Sequence, residues 1–306
     1  MGATDGRRAS RAVDEGVRGE LAEDRHLGGR DLTRWSSRPG RWLAWLAEQL
    51  GRVLGSRQTL VLVLALGASV AALMTWLASE TYEAVVDADG VALLDEPLLE
   101  ASVDLRSGWL DSSVTAFTDV GGVVGMPVLA LSVMTLLAVR RRSWTPVILI
   151  VAAGTGSLLM TVAGKDLVGR ARPPLSSAVP PFEHSPSFPS GHTLNAVVIA
   201  GVVAYLLLLR QRSGRARVLT VVVAALFALA MGLSRVFLGH HWFTDVVAAW
   251  GLGLAWLAVV VTAHRLYLTA RERTGAQEPS SRGSAGADHE PAGGLTTARS
   301  GDGETA

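Results

Sequence analysis

Long runs of uncharged apolar residues constrain this chain more than any other feature. Thr59 to Ala78 carries no charge at all, and roughly 20 such residues in a helix cross one bilayer core. Five more runs follow at Val123–Val139, Thr145–Ala163, Leu194–Leu209, Val218–Leu233 and Val246–Ala263. Of the 306 residues 49% are apolar and mean hydropathy is +0.33. That apolar content is gathered into runs, not spread at globular periodicity, which is the pattern of an integral membrane protein. The runs predict an all-α fold, a bundle of six transmembrane helices spanning residues 59–265.

The flanks differ. Residues 1–41 are rich in Arg, Glu, Asp and Gly with few large apolar side chains, a composition that predicts a disordered tail. No short apolar core follows an initial basic cluster, so this is not read as a signal peptide. Over residues 42–58, Trp42, Leu43, Leu46, Leu50, Val53 and Leu54 share one helical face opposite Arg41, Glu48 and Arg52. Such a helix either lies in the membrane interface or packs on the protein body. Residues 272–306, rich in Gly, Ser, Glu and Thr, read as a second disordered tail.

Arginine placement predicts the orientation. Arg140–Arg142 and the Arg210–Arg217 turn follow the second and fourth runs, and both tails are basic near the membrane. Short basic loops stay cytoplasmic, so both termini are expected inside and the loops after runs one, three and five outside a cell membrane. A net charge of +1 gives no bulk attraction to nucleic acid. With no cysteine there are no disulfides, thiol nucleophiles or thiolate metal sites, and no H-E-x-x-H spacing occurs.

Three polar segments meet on that outward side. The last, Ser234 to Asp245, places Arg, two His and Asp between two apolar runs, where ionisable groups are costly and point to function. If a helix begins near His241, Asp245 lies one turn on, able to take one imidazole N–H and leave the other nitrogen free. Arg235 upstream offers a fork that matches phosphate oxygens. Lys165 and Arg172, at the outer end of run three, add positive charge, unless they merely reach toward headgroups. Pro189-Ser190-Gly191-His192 opens run four. There the Ser190 and Gly191 backbone N–H groups would point at an anion from a helix N-terminus, and His192 could protonate a leaving oxygen. Pro189-Ser190-Gly191 could be only a turn and helix start. His240 reads as a packing residue, and Asp166, Arg170, Glu183 and His184 as solvated loop residues.

Taken together, K-x6-R-P at Lys165–Pro173, P-S-G-H at Pro189–His192 and S-R-x5-H-x3-D at Ser234–Asp245 resemble the three motifs of the type 2 phosphatidic acid phosphatases, the PAP2 or lipid phosphate phosphatase family. The stretch from Asp104 through Gly122 resembles bacterial members more faintly. The resemblance implies a membrane lipid phosphatase that needs no metal or other cofactor. It implies His241 as nucleophile through a phosphohistidine, Asp245 orienting it, and His192 as acid and then base. Lys165, Arg172, Ser190, Gly191 and Arg235 would hold the phosphate. Substrates expected of such an enzyme are phosphatidic acid, phosphatidylglycerophosphate, diacylglycerol pyrophosphate and undecaprenyl diphosphate. Vanadate-dependent haloperoxidases share the motifs but are soluble, against six apolar runs. A transporter or flippase with charged residues along its path would call for an inverted repeat, and the sequence shows none.

The arginine pattern is tested by single cysteines on this cysteine-free background. An impermeant thiol reagent applied to intact cells, or spheroplasts, should label Ser177→Cys and spare Ser213→Cys. The opposite labelling would invert the topology.

Overall fold

The apolar runs form helices in the computed structural model, which describes residues 24–27, 29–54 and 91–276. A two-stranded antiparallel hairpin, β1 (His26–Leu27) and β2 (Arg30–Asp31), precedes α1 (Arg38–Leu54). After residue 91 a single 3-10 turn leads into α2 (Asp95–Asp104), α3 (Gly108–Asp119), α4 (Gly125–Arg141), α5 (Thr145–Val168), α6 (Gly191–Arg210), α7 (Gly214–Phe237) and α8 (Phe243–Ala276). Helices α5 to α8 are each long and apolar enough to cross a membrane. Helix α4 covers the expected second span in 17 residues, about 25 Å at the usual rise. The run Thr59–Ala78 lies outside the described residues.

The four long helices outrun the apolar stretches that predict them. Helix α5 continues past Ala163 to Val168, α6 starts at Gly191 instead of Leu194, α7 reaches Phe237 instead of Leu233, and α8 starts at Phe243 instead of Val246. The added turns carry Lys165, His192, Arg235 and Asp245. Helical hydrogen bonds are indifferent to side-chain polarity, and each of these groups lies part-buried or buried in the folded chain.

Helix α6 is the axis of the bundle. It packs against α5, α7 and α8, and Leu194, Val198, Val202 and Leu206 are fully enclosed along it. Helix α7 is its opposite: Val218, Leu219, Val221, Val223 and Leu226 are at least half exposed. A surface of that kind requires hydrocarbon around it, since soluble monomers rarely expose large contiguous apolar patches. Helices α5 and α8 touch closely because Gly156 gives room for Trp256, whose indole N–H donates to the Ala153 carbonyl at 3.2 Å. Small residues at helix contacts are the usual device in lipid, where apolar burial no longer drives association.

Three expected boundaries change here. The disordered tail to Arg41 is cut short. Arg25 holds Asp31 at 2.6 Å, and Asp31 also accepts from the Thr33 hydroxyl and N–H. The segment then docks on α8: Trp35 donates to Thr269 at 3.1 Å, and Arg265 stacks over Trp35 at 4.2 Å while donating to the Leu32 carbonyl. Asp24, 1% exposed, meets Arg210 at 3.2 Å. Residues 1–23 lie outside the described residues. Helix α1 starts at Arg38, ahead of the expected 42, and rests on α8 through Ala44 and Leu266 while Trp42 and Trp45 stay exposed. The C-terminal tail begins later than residue 272, since α8 runs to Ala276; residues 277–306 lie outside the described residues.

The acidic stretch before the second run also folds, as α2 and α3. Both lie at the end of α7, where Arg106 donates to the last-turn carbonyl of Phe237 at 3.1 and 2.6 Å, a charged cap on orphan helix acceptors.

A Cβ at Gly156 would stand 2.1 Å from the Trp256 ring, whereas one at Gly251 meets nothing within 4 Å. Gly156→Ala should therefore lower the unfolding midpoint in detergent, overpacking typically costing about 1–3 kcal/mol. Gly251→Ala should leave it in place.

Candidate active site

The ends of α5, α6, α7 and α8 converge with the 169–190 loop at one end of the bundle, opposite the hairpin and Arg265. Gly239, φ +69, makes the turn between α7 and α8. A Cβ there would lie 1.9 Å from the Ser177 carbonyl oxygen, so only glycine lets the loop lie against this turn. Val179 N–H donates to Leu238 at 2.9 Å, and His240 Nε2 meets the Val179 carbonyl at 2.7 Å. Because a carbonyl only accepts, Nε2 carries the proton. His240 thus straps the loop down, as a packing residue would.

His241 stands just before α8, not on it. The contact with Asp245 is made because Asp245, in the first turn, folds back: its Oδ2 accepts from Trp242 N–H at 3.0 Å and lies 3.5 Å from His241 Nδ1. This is the reach of an acidic residue at the third helical position to the helix start. Ser187 Oγ donates to the same Oδ2 at 2.5 Å and sits 3.4 Å from Nδ1. On the far side of the ring, Arg172 Nη1 is 3.2 Å from Nε2. A guanidinium only donates, so Nε2 is the acceptor and the proton is on Nδ1. The nitrogen facing the cations is the one with a free lone pair. Burial pushes the His241 pKa down to about 4, against the opposing pull of Asp245.

Around Nε2 lies a pocket of positive charge. Lys165 Nζ donates to Ser185 Oγ at 2.9 Å and to the Pro186 carbonyl. Arg172 shares both of those acceptors and also donates to the His240 carbonyl at 2.5 Å. Arg235, 2% exposed, is held by the Thr118 hydroxyl of α3 at 3.1 Å. One anion joins these cations. The Glu183 carboxylate puts Oε2 2.7 Å from Arg172 and pairs Oε1 with Arg235. Burial alone would raise its pKa, but Arg235 and then Arg172, with smaller help from His241 and His192, bring it down to about 2. His192 flanks the pocket at the start of α6, under the Gly121–Gly122 turn, where a Cβ on Gly122 would be 3.6 Å from its Nε2.

The structure therefore brings Lys165, Arg172, Arg235, His192, His241 and Asp245 to one place. Ser190 and Gly191 are there too, but Ser190 N–H is directed at the Asp245 backbone carbonyl at 3.4 Å, not left free, and its hydroxyl pairs with Thr193 at 2.8 Å. Two readings from sequence are corrected. Glu183 and Arg170 are not solvated: Glu183 bridges the two arginines, and Arg170 is drawn in against Asp245. Asp166 and His184 are exposed, as expected. Ser187 and Asp95 have site contacts that no motif signalled, and Thr118, within the fainter Asp104–Gly122 resemblance, holds Arg235. Among the described residues, no cluster of three or more His, Asp or Glu is arranged to hold a metal ion.

Comparison with known proteins gives concordant matches. Residues 145–267 match the model of the PAP2 superfamily. Phosphatidylglycerophosphatase B of Bacillus subtilis (strain 168) is 31% identical over 172 residues, covering 56% of this chain and 83% of that protein. The crystal structure of a transmembrane PAP2 type phosphatidylglycerolphosphate phosphatase from Bacillus subtilis superposes with a TM-score of 0.55 at 27% identity, covering 62% of this chain and 93% of that one.

The His241 environment has a direct readout. In ¹⁵N spectra of histidine-labelled protein, His241 should stay neutral with its proton on Nδ1 until the pH nears 4, where a free imidazole titrates near 6.5. The folded pKa is the lower one, so the unfolded chain takes the proton first. This residue's contribution to stability is thus intact above about pH 6.5 and shrinks as the pH falls toward 4.

Proposed function

The chain belongs to the PAP2 superfamily and is a membrane phosphatase acting on phosphoric monoesters; from that premise we propose that its substrate is a lipid phosphate, phosphatidylglycerophosphate first, cleaved through a phosphohistidine on His241. The observation that carries this reading is the Glu183 carboxylate bound between Arg172 and Arg235 beside His241 Nε2. A pocket that holds one oxyanion between two guanidinium groups at the lone pair of a neutral imidazole suits a phosphoryl group. The choice of lipid leans on the name of the B. subtilis relative, most of whose length is matched.

In the mechanism, phosphate replaces Glu183 on Arg172 and Arg235, with Lys165 at its third face. Arg172 turns from Nε2 to the phosphate, and Nε2 attacks phosphorus in line with the lipid oxygen. As the P–O bond breaks, His192, which takes up a proton beside the bound phosphate dianion, gives it to the leaving alkoxide, and Asp245 stabilises the positive charge that grows on His241. Now neutral, His192 takes a proton from water, and the resulting hydroxide attacks the phosphohistidine. Phosphate leaves, His241 is restored, and His192 again carries its proton. Positioning and charge neutralisation do most of the work in phosphoryl transfer, and three cations supply it here.

The reading also takes residues 59–265 as six spans, with the site on the extracytoplasmic face at headgroup depth. Lipid would then enter sideways from the outer leaflet.

The test is phosphate release in detergent from phosphatidylglycerophosphate, phosphatidic acid, diacylglycerol pyrophosphate and undecaprenyl diphosphate, with and without EDTA. Phosphatidylglycerophosphate should have the highest kcat/KM, and EDTA should change nothing. His241→Ala should abolish turnover. Asp245→Asn should cost on the order of 10⁴, as in the serine-protease triad, and His192→Ala about 10²–10⁴. Full activity in His241→Ala would overturn the mechanism, and loss in EDTA with recovery in Mg²⁺ would overturn its metal independence.

A further inference from the structure

Arg170 sits between Lys165 and Arg172 in sequence yet takes no part in the phosphate pocket. Its Nη1 donates to Asp245 Oδ1 at 2.7 Å and to the Thr244 hydroxyl at 2.7 Å, and its Nη2 donates to Asp95 Oδ2 at 2.8 Å. Asp95 in turn accepts the Thr244 N–H on Oδ1 at 2.8 Å and the Thr244 hydroxyl on Oδ2 at 2.7 Å. The side chains of Asp95, Arg170 and Asp245 are 7%, 15% and 0% exposed. Arg170 also lies over the Trp242 ring at 5.5 Å.

We propose that Arg170 and Asp95 are positioning residues for the hydrolysis, acting through Asp245. The proposal rests on the reading of His241 and Asp245 given above. Each oxygen of Asp245 has a separate task. Arg170 occupies Oδ1, so the carboxylate cannot turn about its bond to Cβ, and Oδ2 stays on the His241 side with Ser187 and the Trp242 N–H. Asp95 fixes the other arm of the fork, and by accepting from Thr244 N–H and Oγ1 it also anchors the start of α8. Lysine offers a point charge in place of a planar fork, so it can satisfy only one end of this arrangement well. The relay makes α2, which contributes nothing to the three motifs, part of the catalytic apparatus.

A residue that acts only by aiming Asp245 changes kcat and leaves substrate affinity alone. In detergent, with phosphatidylglycerophosphate, Arg170→Met and Asp95→Asn should each lower kcat by about 10–100-fold, the usual cost of removing an outer-sphere partner, at unchanged KM. The doubly substituted protein should be slower than Arg170→Met by less than the factor Asp95→Asn costs alone, because Asp95 reaches Asp245 through Arg170 as well as through its hold on Thr244. Arg170→Lys should recover part of kcat. Should Arg170→Met unfold, Arg170→Lys and Asp95→Asn carry the same test, with unfolding midpoints measured alongside. Unchanged kcat, a rise in KM alone, or losses that multiply would overturn the relay. His241→Ala separates the two readings. If that protein keeps full activity, the dyad assignment itself fails; if it is dead while the relay variants behave in any of those three ways, only the relay fails.

Discussion

Asp245 is a carboxylate with no exposed surface at the first turn of a 34-residue apolar helix. An unpaired charge so placed would be prohibitive, and it persists only with hydrogen-bond donors on both oxygens. Those donors come from the 169–190 loop and the turn before α8, and the cation among them draws Asp95 in from α2. The position of three segments far apart in sequence therefore follows from one buried charge. Irregular backbone at the membrane surface is tolerated on the same condition, that the protein itself satisfies it.

The cations around His241 make a second, complementary system. Lys165, Arg172 and Arg235 would repel one another in a low-dielectric setting, where charges act more strongly than in water. Glu183 and the Pro186, Ser185 and His240 oxygens hold them in place. Thr118 adds a neutral anchor under Arg235. The fold itself thus gathers the cations at one place, which lowers the reorganisation that electrostatic stabilisation would otherwise require.

Much of this was legible in the sequence, and the rest was hidden for identifiable reasons. Apolar runs locate four long helices because lipid-facing residues must be apolar. The same criterion misplaces their ends, since it stops at Lys165, His192, Arg235 and Asp245 while the helices continue. The motif spacings select residues that do come together. Spacing could not find Glu183, Arg170 or Ser187, because charged and polar residues in a loop look alike whether solvated or turned inward. Asp95 was hidden by distance, its partners Arg170 and Thr244 lying 75 and 149 residues away, and Thr118 falls in the Asp104–Gly122 stretch, whose fainter resemblance singled out no contact with Arg235. The hairpin at residues 26–31 escaped because its order comes from docking onto α6 and not from its own composition.

Helix α8 carries one further consequence. Asp245 lies at its first turn, and Arg265, which stacks on Trp35, lies twenty residues later. At 1.5 Å per residue the two are about 30 Å apart, which is the thickness of the bilayer's hydrocarbon layer. One rigid rod thus fixes the separation between the polar collar around Arg265 and the carboxylate beside His241. The spacing between that collar and the buried carboxylate is set by residue count, independent of the loops that dress the site.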